Sequence, residues 1–159
     1  KEWLKKLPDE KDVRLLVLDQ VTDPHNVGAI VRTAAAFDVD ALLLTWRNAP
    51  EETPALAKIA CGGLEHLPII RAGNLSEAIS AVKNEGFSIY GLAGEGSTEI
   101  QSIVPSSRSC LILGSEGKGM REKTRNYCDE LIKLPTSGAI RDLNVSNAAA
   151  ISLFHFRKN

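Results

Sequence analysis

Short runs of consecutive hydrophobic residues recur along the chain and are separated by polar or helix-forming segments. Runs with the length of β-strands cover residues 15–18, 41–45, 67–70, 87–92, 109–113 and 131–134. A strand that is buried on both faces is hydrophobic at successive positions, whereas a half-exposed strand alternates. The pattern therefore predicts a mainly parallel sheet that is covered on both faces.

Helical segments are expected between these strands. They cover residues 29–37, 54–60, 74–83 and 121–127, and a last helix begins near Ser146. Asn74 followed by Glu77 forms a capping-box-like start for one of them. Residues 19–28 are expected to form a polar turn. Strands that alternate with helices indicate an α/β fold whose ligand site lies at the carboxyl ends of the strands.

Length and composition fit one globular domain spanning residues 1–159. The chain has 159 residues, of which 43% are hydrophobic and 25% charged, so a single domain with a sizeable core is expected. No apolar run approaches the roughly 18 residues of a membrane span, and the Lys/Glu-rich beginning lacks the apolar centre of a signal peptide. A soluble, cytoplasmic protein is therefore expected.

Charge and cysteine content narrow the range of ligands. A formal net charge of -1 gives no overall basic field, so a nucleic acid would have to be bound by a local patch, a dimer or a separate domain. The 3 cysteines are odd in number and form no CxxC pair, which argues against a disulfide framework and a zinc site. No metal is expected.

Asn26 and Arg32 stand out in the segment that follows the first predicted strand. Asn26 is expected at a helix entrance, and Arg32 lies among Ile30, Val31 and Ala34. A cation in an apolar helix has to reach a rim, a partner chain or an anionic ligand, because burying it alone is costly. A surface arginine whose aliphatic stem covers apolar neighbours is an equally good explanation.

A glycine-rich turn follows the strand predicted over residues 109–113. Gly114, Gly117 and Gly119 let backbone amides approach a ligand closely, and Glu116 lies among them. The turn is not a P-loop, because Gly119 stands where that motif has Ser or Thr, and its glycine order differs from the dinucleotide fingerprint. A tight surface turn explains the glycines as well, but it does not explain why Glu116 lies among them.

Residues 134–150 join a strand end, a polar loop and an almost wholly apolar helix. Apolar side chains there could hold a flat, uncharged ligand surface, while Asn144 and Ser146 offer hydrogen bonds near the helix start. The helix is apolar on nearly every side. This property fits an interface with another subunit or a helix that is fully buried in a monomer.

Three motifs occur in order along the chain: N-x-G-A-x-x-R-T-A from Asn26, L-x-L-G-x-E-G-x-G from Leu111 and L-P-x-x-G-x-x-x-x-L-N-V-S from Leu134. Together they resemble the SpoU (TrmH-like) RNA ribose methyltransferases of the SPOUT superfamily, and the resemblance covers essentially the whole chain. Residues 23–26 and 116–121 are most similar to the bacterial 23S rRNA guanosine 2'-O-methyltransferase branch.

The resemblance implies an α/β fold whose C-terminal part forms a deep trefoil knot, with S-adenosylmethionine held bent among the knotted loops. It also implies an obligate homodimer and RNA as the substrate. Many relatives in the suspected branch carry a separate N-terminal RNA-binding domain. General rules of chain connection would instead predict an ordinary, unknotted sheet.

The resemblance also assigns roles to individual residues. Catalytic and RNA-positioning roles are implied for Asn26, Arg32, Glu116 and Asn144. The cofactor pocket would be lined by Gly114, Leu134 and Leu143, with Leu113, Gly117 and Ala93 nearby. Because a guanidinium holds its proton strongly, Arg32 is expected to bind a phosphate and stabilise negative charge on the ribose oxygen rather than act as a base.

Two positions depart from the family pattern. Asp142 stands where relatives commonly have Ser, and its carboxylate could accept the ribose proton, pair with Arg32 or repel an RNA phosphate. Asp38 stands where relatives often have Gly after a helix, and Asp tolerates the left-handed conformation of such a turn.

The sequence thus predicts an S-adenosylmethionine-dependent RNA 2'-O-ribose methyltransferase, with a 23S rRNA guanosine as the expected target. A tRNA target is the alternative within the same chemistry. Asp142 and the small net charge leave open a dimeric cofactor- or RNA-binding module with little catalysis. A Rossmann-type oxidoreductase is disfavoured, because the ordered glycine fingerprint and the downstream ribose-binding acid are missing.

Overall fold

A computed structural model describes residues 2–9, 12–45, 47 and 53–159. Its strands are β1 Val13–Asp19, β2 Ala41–Thr45, β3 Ile69–Ala72, β4 Ser88–Leu92, β5 Thr98–Glu99, β6 Arg108–Gly114 and β7 Glu130–Lys133. They form one 7-stranded sheet in the order β3-β2-β1-β6-β4-β7-β5. Each neighbouring pair of these strands is parallel, which confirms the expected α/β fold with a parallel sheet.

Helices connect the strands and cover both faces of the sheet. They are α1 Pro24–Ala36, α2 Pro54–Ala60, α3 Gly63–His66, α4 Leu75–Asn84, α5 Glu122–Arg125 and α6 Val145–Phe156. Short 3-10 helices cover Glu2–Lys6 and Ile100–Ser102. Among the helices of the described ranges, none has the length and apolar character needed to cross a membrane.

Two hydrophobic cores lie on opposite faces of the sheet. Along β1, Leu16 and Leu18 belong to the core that contains residues of α1 and α6, while Leu15 and Val17 belong to the core beneath α4. Successive side chains of a strand point to opposite faces, and every residue of β1 is buried. A sheet covered on both sides therefore explains why the strands are hydrophobic without alternation.

Helix α1 begins earlier than the sequence pattern predicted. Residues 19–28 were expected to form a polar turn, but the helix starts at Pro24. The carboxylate of Asp23 accepts a hydrogen bond from the His25 amide at 2.9 Å, and proline suits the first helical position because it lacks an N–H. Asn26 therefore lies in the first turn of α1.

Other element boundaries differ by smaller amounts. β3 begins at Ile69 rather than at residue 67, because Leu67 caps the end of α3, a short helix that the sequence did not predict. α5 is shorter than the helix expected over residues 121–127. The left-handed conformation expected at Asp38 is confirmed by its φ of 55°.

A buried arginine in β1 anchors the end of α6. Arg14 is 7% exposed. Its Nε donates to the carbonyl of Phe156 at 2.5 Å, and its Nη1 donates to the carbonyl of Ser107 at 2.8 Å. A cation is favourable at the C-terminal end of a helix, where unpaired carbonyls carry partial negative charge. The contact fixes one end of α6 against the sheet, and the other end borders the cleft described below.

Candidate active site

A cleft of about 570 Å³ lies at the carboxyl ends of β4, β6 and β7. Its walls are the loop after β4, the glycine-rich turn after β6 and the loop that joins β7 to α6. The structure brings together in this cleft every residue that the resemblance assigned to the cofactor, namely Ala93, Leu113, Gly114, Gly117, Leu134 and Leu143. The expected position at the carboxyl ends of the parallel strands agrees with the observed one.

The glycine-rich turn is folded tightly against its own backbone. A Cβ atom on Gly114 would lie 2.2 Å from the carbonyl carbon of Gly119 and 2.2 Å from the Met120 amide nitrogen. Gly117 and Gly119 have φ values of 78° and 66°, a region that side chains disfavour. These glycines allow the turn to fold back against its own backbone. Glu116 lies in this turn and lines the cleft.

An ion pair between a buried carboxylate and a partly exposed arginine holds the far end of this turn. Asp19, the last residue of β1, is 0% exposed, and its carboxylate accepts from the amide and from Nε of Arg121, both at 2.8 Å. The sequence interpretation missed this pair. The available signal was a carboxylate that directly follows a wholly apolar run, because a buried charge needs a partner.

Asn144 is the centre of a hydrogen-bond cluster at the rim of the cleft. Its Nδ2 donates to Oε1 of Glu116 at 2.8 Å and to Oδ1 of Asn26 at 3.2 Å. Its Oδ1 accepts from the Ser146 amide at 2.9 Å and thereby caps α6. The amide of Asn144 is fixed in orientation by these contacts on both of its polar atoms.

Glu116 also binds the backbone at the start of α6. Its Oε1 accepts from the Val145 amide at 3.0 Å, in addition to the bond from Asn144. Carboxylates are favourable at helix N-termini, where unpaired N–H groups carry partial positive charge. Asn26, Glu116 and Asn144, three of the residues expected to be catalytic, therefore contact one another through Asn144.

Arg32 lies apart from this cluster. It follows Asn26 by six residues on α1, which places its backbone about 9 Å farther along the helix axis and on a different side. Its Cα lies beside α3, because a Cβ on Gly63 would come within 3.2 Å of it. The guanidinium is exposed, and no hydrogen bond or ion pair holds it within the described part of the chain.

Asp142 lines the cleft on an exposed loop. The loop is closed by its neighbours, because the Thr136 hydroxyl donates to the Arg141 carbonyl at 3.0 Å and Arg141 Nη1 donates to the Thr136 carbonyl at 3.2 Å. Among the described ion pairs none joins Asp142 to Arg32, so the pairing considered from the sequence does not occur within one chain.

Glu95 and Arg125 form a further ion pair on the wall of the cleft. Glu95 lies in the loop after β4, and Arg125 is the last residue of α5. The guanidinium of Arg125 donates to the Glu95 carboxylate and holds the pKa of that carboxyl below its usual range. The sequence pattern gave no signal for this pair, since its members are distant in the chain.

The chemistry of the cleft suits a small organic molecule with a flat ring and polar substituents. Leu92, Leu113, Leu134 and Ala148 provide apolar surface, while Gly94 has open space where a side chain would lie. Apolar walls with a few convergent polar groups are typical of cofactor and substrate sites. Across the described residues, no group of three or more His, Cys, Asp or Glu side chains is arranged to hold a metal ion.

The chain is similar in sequence to curated RNA methyltransferases. The chain is 42% identical over 140 residues to an uncharacterized tRNA/rRNA methyltransferase of Synechocystis, a match that covers 88% of this chain and 36% of that protein. It is 41% identical over 140 residues to the 23S rRNA (guanosine-2'-O-)-methyltransferase RlmB of Escherichia coli K12, covering 88% and 58%. The chain thus spans only part of the length of these relatives.

Solved structures and family models agree with these matches. The SpoU methyltransferase AviRb from Streptomyces viridochromogenes, crystallised in complex with the cofactor AdoMet, superposes with a TM-score of 0.87 at 25% identity, over 96% of this chain and 60% of that one. Residues 14–154 match the model of the SpoU rRNA Methylase family. The family match covers most of the chain and includes both the cleft and the Asn144 cluster. The chain therefore belongs to the SpoU rRNA Methylase family.

Proposed function

We propose that this chain is the catalytic domain of an S-adenosylmethionine-dependent RNA 2'-O-ribose methyltransferase that acts on a guanosine of 23S rRNA. The observation that carries the proposal is the Asn26–Asn144–Glu116 cluster, which lies at the rim of a cleft suited to an organic cofactor. The 41% identity to RlmB supports the choice of substrate, and the relative crystallised with AdoMet supports the choice of cofactor.

The proposed cofactor site uses mainly backbone groups. Gly114, Leu134 and Leu143 would hold the adenosine part, with Ala93, Leu113 and Gly117 completing the wall. When bound, S-adenosylmethionine supplies a methyl group activated by a positively charged sulfur. The apolar wall formed by Leu92, Leu113 and Leu134 would exclude water from that group, which favours transfer to RNA over hydrolysis.

Asn26, Glu116 and Asn144 would orient the ribose. Because Asn144 Nδ2 and Oδ1 are occupied by contacts within the protein, its role is to position the two side chains bonded to it. Asn26 retains its amide donor and Glu116 its second carboxylate oxygen for the substrate. Groups held in place before the substrate arrives lower the entropic part of the barrier.

We assign Asp142 as the group that accepts the proton of the ribose hydroxyl. It lies in the cleft on a loop that Thr136 and Arg141 hold closed, and its carboxylate has no ion-pair partner among the described contacts. Asp142→Ser should lower turnover more than RNA affinity in a labelled-methyl assay, since the variant lacks the acceptor. A rise in both quantities would instead mean that the carboxylate repels RNA.

We further propose a homodimer in which Arg32 of one subunit serves the cleft of its partner. The exposed Ile151 and Phe154 on α6, with 48% and 55% of their surface accessible, support burial of this helix face against a second copy. Arg32 would then bind a substrate phosphate and stabilise negative charge on the ribose oxygen. Its exposure and its lack of a partner within the described chain support that role.

The deep trefoil knot and the domain organisation are also proposals. The match to the SpoU rRNA Methylase family supports the knot, and the bond between Glu116 and the Val145 amide places the glycine-rich turn against the loop that leads into α6. The family match over residues 14–154 supports a single catalytic domain. Because the net charge is -1, we propose that much of the RNA affinity comes from dimerisation or a separate RNA-binding domain.

The test is methyl transfer from labelled S-adenosylmethionine to transcripts of 23S rRNA and tRNA. We expect label in the 23S transcript and none when the target nucleotide lacks its 2'-hydroxyl. Asn144→Ala should remove transfer, whereas Asn84→Ala, a change at an exposed asparagine ending α4, should not. Cofactor binding without methyl transfer would indicate a binding module. Transfer to the tRNA transcript alone would replace 23S rRNA by tRNA as the assigned substrate. Absence of both binding and transfer would refute the proposal.

A further inference from the structure

The Glu95–Arg125 pair lies on the cleft wall but has no part in the Asn144 cluster. Glu95 stands in a turn closed by the Gly96 amide, which donates to the Ala93 carbonyl at 2.9 Å. This turn packs on β7, since a Cβ on Gly96 would lie 2.8 Å from the carbonyl carbon of Ile132. The carboxylate is therefore carried by a segment whose backbone is fixed against the sheet.

The exposure of the two side chains differs. The Glu95 side chain is 61% exposed and that of Arg125 is 31% exposed. Arg125 is the one side chain described as bonded to the Glu95 carboxylate, which leaves acceptor capacity on that group for a ligand. The guanidinium keeps the carboxylate ionised and limits its rotamers, and Glu95 lines the cleft, so an acceptor is available to a ligand there at little further entropic cost.

Charge and position restrict the ligand group that this carboxylate can bind. An RNA phosphate is repelled by it, and the ring of a nucleoside is better matched by the apolar wall of Leu92, Leu113 and Leu134. Neighbouring hydroxyl groups are suitable, because two O–H donors can both bond to one carboxylate. In dinucleotide-binding folds, an acid near the carboxyl end of a parallel strand binds ribose hydroxyls in this way.

We infer that Glu95, oriented by Arg125, is a specificity residue that accepts hydrogen bonds from the 2'- and 3'-hydroxyls of the cofactor's ribose. This inference rests on the proposed function only through the identity of the cofactor. Glu95 selects an adenosyl ligand with an intact ribose diol. Arg125 is a positioning residue that acts through Glu95.

The test is calorimetric binding, without RNA, of S-adenosylhomocysteine, its 2'-deoxy and 3'-deoxy analogues and 5'-methylthioadenosine. Glu95→Ala should weaken S-adenosylhomocysteine and 5'-methylthioadenosine by about tenfold, the loss typical of a hydrogen bond to a charged group. The same substitution should change the affinity for at least one deoxy analogue by less than about twofold. That analogue lacks the hydroxyl to which Glu95 would bond, so removing the carboxylate then removes no further hydrogen bond. Arg125→Gln should cause a smaller loss with the same dependence on the hydroxyls.

Glu122→Ala is the matched control, because it removes an exposed carboxylate from the same helix as Arg125 but away from the cleft. It should leave all four affinities unchanged, and thermal melting should show that each variant is folded. An unchanged affinity for S-adenosylhomocysteine in Glu95→Ala, or an equal loss for both deoxy analogues and the parent ligand, overturns the inference. A loss confined to S-adenosylhomocysteine and absent for 5'-methylthioadenosine also overturns it, since the pair would then bind the amino-acid end.

These outcomes are distinct from failure of the proposed function. Tight binding that depends on the ribose hydroxyls, combined with no methyl transfer, would remove the methyltransferase proposal and keep the role of Glu95. Methyl transfer combined with cofactor binding that does not depend on Glu95 would keep the methyltransferase proposal and remove the role of Glu95. A wild-type protein that binds none of the adenosyl ligands would overturn both.

Discussion

Replacing Glu116 by alanine and by glutamine separates its structural contribution from its charge. One oxygen of this carboxylate accepts from Asn144 Nδ2 at 2.8 Å and from the Val145 amide at 3.0 Å. Glutamine keeps an oxygen that can accept both bonds, whereas alanine leaves both donors without this partner. The two variants therefore differ in whether the start of α6 stays connected to the glycine-rich turn.

The magnitude follows from the donors that alanine leaves unpaired. Val145 is 7% exposed, and a buried N–H without an acceptor costs about 1–3 kcal/mol. Asn144 retains its bond to Asn26, and water can reach the exposed position of Glu116, so the lower end applies. Glu116→Ala should lower the free energy of unfolding by about 1 kcal/mol, or about 2–4 °C in Tm, and Glu116→Gln by less than about 0.5 kcal/mol.

The assay is urea and thermal denaturation at one fixed protein concentration, because dimerisation would make Tm depend on concentration. Glu122→Ala and Glu122→Gln provide controls at an exposed glutamate in α5 that lies outside the cleft. Equal destabilisation by Glu116→Ala and Glu116→Gln would show that charge, and not acceptance by the oxygen, carries the stability. No destabilisation by Glu116→Ala would refute the structural role of the cluster.

Further substitutions and a chemical probe test other parts of the structure. Arg32→Ala should abolish methyl transfer while calorimetry shows unchanged cofactor binding, and unchanged turnover would remove Arg32 from the mechanism. Gly114→Ala should lower the free energy of unfolding in urea by about 3 kcal/mol or more, because the added Cβ would lie 2.2 Å from backbone atoms. Gly73→Ala is the control and should be neutral, because a Cβ there has no atom within 4 Å. Iodoacetamide at pH 8 should label the exposed Cys61 before Cys128, because burial raises the pKa of the Cys128 thiol to about 11. Mass spectrometry follows the order of labelling, and labelling of Cys128 first would contradict this prediction.

Local sequence signals gave the elements of the fold but not all of their limits. The apolar runs located the six longer strands, and Asn74 with Glu77 marked the start of α4, where Asn74 accepts from the Glu77 amide at 3.3 Å. α1 starts earlier than the polar composition of residues 19–28 indicates, because Asp23 caps the helix and Pro24 suits its first position. β5 has only 2 residues and too few side chains to form a recognisable pattern.

The site was predictable where its residues lie within the recognised motifs. Those motifs contain Asn26, Glu116 and Asn144, and the structure adds that Asn144 bonds to the other two. The pairs Asp19–Arg121 and Glu95–Arg125 were not predictable, since their members are 102 and 30 residues apart and no local spacing relates them. Such contacts depend on which loops meet at the edge of the sheet.

The sequence by itself determined the fold class and the segments that carry the site, because periodic burial and turn chemistry are local properties of the chain. The family was indicated by the resemblance of three motifs to those of known proteins. Tertiary structure alone decided the strand order, the hydrogen-bond partner of each polar group in the cleft and the separation of Arg32 from the Asn144 cluster within one chain. The physical reason is that these properties arise from contacts between distant segments. Such contacts are selected by the packing of the whole domain, and local conformational preference does not specify them.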